Sequence, residues 1–114
     1  MILKIGDKDY PLTFGLDFLR EMNKLHSTEL EGMKTGYGAM TMLNVGTALN
    51  DPLAMVDIIK AATATEQQKP SNRDIELYIN DLAIEGKFKE TLNQITDEIK
   101  KSPTLMLAMN VQEA

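Results

Sequence analysis

The sequence predicts a mainly α, α+β fold in which an N-terminal β-hairpin packs on a bundle of about five to six short helices. Three observations predict it. Apolar residues alternate with polar ones on both sides of the turn-forming run Gly6-Asp7-Lys8-Asp9. From Leu16 onward, apolar residues recur at three- and four-residue spacing, the period of a helix with one buried face. Capping residues and prolines punctuate that periodicity at Asp51-Pro52, Ser71 and Ser102-Pro103. At 114 residues the chain has the length of a single domain. Residues 1–14 form the hairpin, 15–101 the helical core and 102–114 an apolar C-terminal segment.

In the hairpin, pairing Ile5 with Tyr10 sets Leu3 against Leu12 and Met1 against Phe14, so all six share one face. Pro11 has no N–H to donate, which assigns its strand to an edge. Two strands alone are barely stable in water, so this face must pack on helices, through Leu3, Ile5, Leu12 and Phe14.

The first helix runs from about Leu16 to Leu25, with Phe18, Leu19, Met22 and Leu25 at helical spacing. A loop from Ser27 to Gly36 follows. A second helix, from about Tyr37 to Leu49, carries Met40, Leu43 and Thr47 on one stripe. Asp51 caps a third helix, and Pro52 suits its first turn, where an N–H would be unpaired anyway. That helix extends to about Thr65 with Val56, Ile59 and Ala62 inside. Ser71 starts a fourth helix containing Ile75, Tyr78, Ile79 and Leu82, which Gly86 breaks or kinks. The fifth is the most regular, with Phe88, Leu92, Ile95 and Ile99 inside and an Asp97–Lys101 pair outside. Ser102-Pro103 starts a short last helix through Leu105, Met106, Leu107, Met109 and Val111.

Composition excludes several classes of function. The net charge is −5, and only two arginines occur, Arg20 and Arg73, far apart in sequence. Nucleic-acid binders neutralise phosphates with clustered Lys and Arg, so no nucleic-acid partner is expected. No run approaches the ~20 apolar residues that span a bilayer, so no membrane role is expected either. The absence of cysteine suits a reducing cytosol. His26 is the single histidine, and a firm metal site takes three or four ligands. With no thiol and no second histidine, nucleophilic catalysis has no activated group. The run Gly32-Met33-Lys34-Thr35-Gly36-Tyr37-Gly38 is glycine-rich, but its order is wrong for a phosphate loop. The chain is thus expected to be non-catalytic, with no cofactor and no metal.

Methionine is the unusual component, with eight residues in the chain. Its flexible, polarizable side chain fills irregular core gaps and also suits adaptable binding surfaces. Met40 and Met42 lie in the charge-poor middle of the chain. Leu105, Met106, Leu107 and Met109 lie in the C-terminal segment, which is apolar nearly all round. An apolar patch of that kind marks a partner site. Leu105, Met106, Leu107 and Met109 are therefore candidate partner-binding residues, with Met40 and Met42, read first as core packing, as the alternative site. The segment after Ser102 is expected to serve association, including self-association, more than folding.

Several segments, in order, resemble one family. They are the run from Ile5 to Asn23, then Glu31-Gly32-Met33-Lys34-Thr35-Gly36-Tyr37-Gly38, and Ile58-Ile59-Lys60-Ala61-Ala62-Thr63. Lys69-Pro70-Ser71 and Glu98-Ile99-Lys100-Lys101-Ser102-Pro103 complete the set. Together they resemble the tail assembly chaperones of long-tailed bacteriophages, the small family found in phages and prophages of Gram-positive bacteria. The resemblance implies a non-catalytic protein of the host cytoplasm that binds the tape-measure protein and keeps it soluble. It further implies help for the major tail protein as it polymerises, and absence from the mature virion. This chain would be the shorter of two forms related by a translational frameshift. The alternatives are a generic helical adaptor or small regulator of the antitoxin kind, and a small enzyme subunit.

Overall fold

The computed structural model describes residues 1–26, 28–30, 33–35 and 50–110. Strands β1 (Ile2–Ile5) and β2 (Lys8–Pro11) form an antiparallel hairpin, with Leu3 opposite Tyr10 and Ile5 opposite Lys8. The connection is a two-residue turn, Gly6-Asp7, rather than the expected run of four. Gly6 has φ 64° while Asp7 keeps a negative φ, the combination of a type II′ turn that glycine adopts without steric cost. The register is therefore displaced by two residues from the expected one. Because side chains alternate with a period of two, a two-residue shift leaves the same residues on the buried face. Leu3, Ile5, Tyr10 and Leu12 are all buried. Met1 still pairs, its carbonyl accepting from the Leu12 amide at 2.9 Å. Phe14 lies beyond the hairpin, partly buried, with its ring edge-on to Phe18 at 5.1 Å.

Five helices follow among the described residues: α1 (Leu16–His26), α2 (Pro52–Ala62), α3 (Asn72–Glu85), α4 (Phe88–Lys100) and α5 (Pro103–Asn110). Each begins or ends where local chemistry dictates. The Asp51 carboxylate accepts from the Leu53 amide at 2.9 Å, with Pro52 in the first turn. Ser71 Oγ accepts from the Asp74 amide at 3.1 Å. Gly86, at φ 71°, ends α3 in the left-handed conformation and turns the chain directly into α4. At the end of α2 the buried Thr63 hydroxyl donates back to the Ile59 carbonyl at 2.9 Å. That helix stops at Ala62, three residues short of the expected Thr65.

The buried residues form one cluster that takes in the hairpin face and a stripe from every helix. Phe18 and Met22 come from α1, and Met55, Ile58, Ile59, Ala61 and Ala62 from α2. Ile75, Ile79 and Leu82 come from α3, Leu92, Ile95 and Ile99 from α4, and Leu105 from α5. Val56, expected inside, is only partly buried, because the buried face of α2 is centred on Met55 and Ile58. The outer face of α4 carries a Lys101–Glu98 ion pair at 3.0 Å in place of the expected Asp97–Lys101 pair. Arg20 pairs with Asp17, and Lys24 with Glu21, on the exposed side of α1.

One expectation in the middle of the chain meets a different outcome. The stretch expected as loop contains a second antiparallel hairpin, β3 (Thr28–Leu30) with β4 (Met33–Thr35), in which Glu29 lies opposite Lys34. The helix expected from Tyr37 to Leu49 lies outside the described residues.

Candidate functional site

Of the residues expected to bind a partner, Leu105, Met106 and Leu107 fall among those whose side chains are described, and they do not share one exposure. Leu105 is fully buried at 0% exposure and belongs to the core. The reason is the placement of α5, which returns against α4 and reaches α1, so that one side of an evenly apolar helix is enclosed. Ser102 is buried too. The start of α5 thus packs into the same core as the preceding helices. Met106 is half-buried, while Leu107 stands 67% exposed. Met109 falls within α5, but its side chain, like Met40 and Met42, lies outside the described residues.

A concave apolar surface occurs elsewhere. Where α2 and α3 diverge, a groove of about 550 Å³ opens, lined by Pro52, Leu53, Val56, Ile79, Ala83 and Phe88, with Glu76 and Asn80 on its rim. Each lining residue has a local reason to be there. Pro52 and Leu53 occupy the first turn of α2, held by the Asp51 cap, and Val56 lies one turn further on. Glu76, Ile79, Asn80 and Ala83 recur at three- and four-residue spacing on α3, so they share one flank of that helix. Phe88 closes one end because Gly86 brings the first residue of α4 back beside Ala83. Ile79 forms the buried floor, and Leu53 is 70% exposed on the wall.

Other large aliphatic residues of α3 are exposed outside the groove, and Leu77 lines a separate concavity beside the hairpin turn. Leu77 and Ile84, seven residues apart on α3, point away from the core, with Ile84 76% exposed. An apolar groove with an exposed large aliphatic residue such as Leu53 on its wall is the signature of a protein-binding surface. The exposed residues escaped the periodicity argument, which looks for the stripe facing the core. The signal that could have found them is a large aliphatic residue off that stripe, at Leu53, Leu77 and Ile84.

Among the described residues Glu76 is the single ionisable side chain lining the groove. A second concavity, of about 430 Å³, lies between the hairpin turn and α3 and is lined by Lys4, Asp74, Tyr78, Asp81 and Glu85 among others. Partial burial of Tyr78 there pushes its phenol above the ordinary tyrosine value. Among the described residues no cluster of His, Asp and Glu has the arrangement to hold a metal ion, and no helix is long and apolar enough to cross a membrane.

A family model described as phage tail assembly chaperone protein, TAC, matches residues 2–112. No curated protein and no solved structure matches the chain.

Proposed function

The chain belongs to the phage tail assembly chaperone family, and from that premise we propose that it is a non-catalytic chaperone that binds the tape-measure protein and assists tail-tube assembly. The observation that carries the proposal is the family match, which runs from the first strand through α5. The uncovered apolar surface around the α2–α3 groove supports it physically. A tape-measure protein is a long helical chain whose apolar stripes must be kept from one another before assembly. A small acidic protein offering apolar surface suits that task, because net negative charge keeps the loaded complex dispersed. In this proposal the chaperone acts in the host cytoplasm, hands its cargo to major tail protein, and is absent from the mature virion.

Co-expression provides the test. Tape-measure protein produced with this chain should remain in the supernatant and co-purify with it, whereas produced alone it should aggregate. Tape-measure protein that is equally dispersed without the chain, and never co-purifies with it, would sink the proposal. Retention of duplex DNA by the purified chain at low salt would favour the small-regulator reading instead.

A further inference from the structure

We propose that the groove between α2 and α3 docks two turns of an amphipathic helix from the tape-measure protein, oriented by a basic residue that meets Glu76. This inference rests on the functional reading above and adds to it the surface and the shape of the ligand.

Three observations select a helix as the occupant. The walls are helices whose backbone groups are paired within themselves, and among the described residues no strand borders the groove. An extended peptide laid there would bury N–H and C=O groups with nothing to pair with, whereas a helix arrives with its own satisfied. The lining from Glu76 to Ala83 covers two turns of α3, a length of roughly 10 Å at 1.5 Å per residue. Leu53, 70% exposed on the groove wall, carries the apolar lining out to the mouth, which a rod would cover and a compact small molecule would leave wet.

Charge sets the direction of that rod. Glu76 lies towards the start of α3, while Ala83 and Phe88 mark the other end of the groove. Among the described residues no cation pairs with Glu76. No basic side chain lines the groove either, so the complementary ligand places Lys or Arg at the Glu76 end and apolar residues over Val56, Ile79 and Phe88. A helix of opposite polarity would bring its own carboxylates to Glu76 and be rejected.

The test uses the full chain with overlapping synthetic peptides from the tape-measure protein of the phage, followed by fluorescence anisotropy. The tightest peptides should carry apolar residues at i, i+3, i+4 and i+7 with a flanking Lys or Arg. Leu53→Asp and Ala83→Arg should each weaken them at least about tenfold. Both positions are exposed, so the melting temperature should not move. Glu76→Lys should weaken the same peptides and be rescued by replacing their basic residue with Glu, while Leu107→Asp on α5 should have no effect. A wild-type chain that captures no peptide and no intact tape-measure protein defeats the functional reading and this inference together. Wild-type binding left intact in both groove variants defeats the groove alone. A melting temperature lowered by either variant would show the groove filled by the chain itself. A changed mass of the free chain in light scattering would show it filled by a second copy. Either result overturns the proposal.

Discussion

The Thr13 amide donates to the Ala62 carbonyl across 2.9 Å, tying the chain that leaves β2 to the last turn of α2. The final carbonyls of a helix have no partner within it, and here the hairpin strand supplies one. Thr13→Pro removes the donor and should destabilise the protein by roughly 1–3 kcal/mol. Thr13→Ala keeps the donor and loses only an exposed side chain, so it should be nearly neutral. Urea denaturation of the two variants separates the outcomes. Equal stabilities would mean that the backbone link contributes nothing.

The aromatic pair divides unequally. Phe18 is fully enclosed, whereas Phe14 covers it from a partly exposed position. Phe18→Ala should cost roughly 3–5 kcal/mol, the usual loss for a buried ring. Phe14→Ala should cost clearly less, the edge-to-face contact itself being worth about 0.5–1.5 kcal/mol. A reversed order in chemical denaturation would contradict the placement of the two rings.

The burial of Leu105 changes what truncation should do. A chain ending at Ser102 loses a core residue, so it should melt well below the full chain. Leu105→Ala should cost roughly 2–5 kcal/mol. Leu107→Asp, on the exposed side of the same helix, should leave the melting temperature unchanged. If truncation were harmless, α5 would not belong to the core.

Tyr78 provides a pH signature. Burial raises its pKa in the folded state, so between the ordinary value of about 10 and that higher value the unfolded chain has lost a proton that the folded chain keeps. Stability contributed by this group is therefore complete below pH ~10 and falls as pH rises through the folded-state pKa. Spectrophotometric titration of tyrosinate should show one group ionising late, and Tyr78→Phe should abolish that late step. A late step that persists in the variant would assign it to another tyrosine.

Much of the architecture is legible in the residues themselves. Asp51-Pro52, Ser71 and Gly86 mark helix ends through their own chemistry, and each acts where expected. The stripe Leu92, Ile95, Ile99 is buried as its spacing requires. Alternation in the hairpin sets which residues face inward but not which pair, since Leu3 may meet Tyr10 or Leu12 and still point the same way. β3 and β4 are too short for alternation to register, at three residues each. Lys101 reaches Glu98 rather than Asp97, because a neighbour one turn away is shared by two candidates and the longer carboxylate gets there. The last helix is apolar on all sides, so its sequence holds no asymmetry to reveal that Leu105 turns inward and Leu107 outward. The groove is invisible for a deeper reason. It is built from flanks of α2 and α3 and the first residue of α4, and no single stretch of chain encodes a crevice between three helices.

That one cluster joins Leu3 of the first strand to Leu105 of the last described helix has a kinetic consequence. Helices form within their own segments, but this core is complete only when the two extremes of the sequence meet. Closing so long a loop is slow relative to helix growth, so it sets the pace of refolding. A contact made in that closure is already present in the transition state. Weakening Leu105 should therefore slow refolding while leaving the unfolding rate almost untouched.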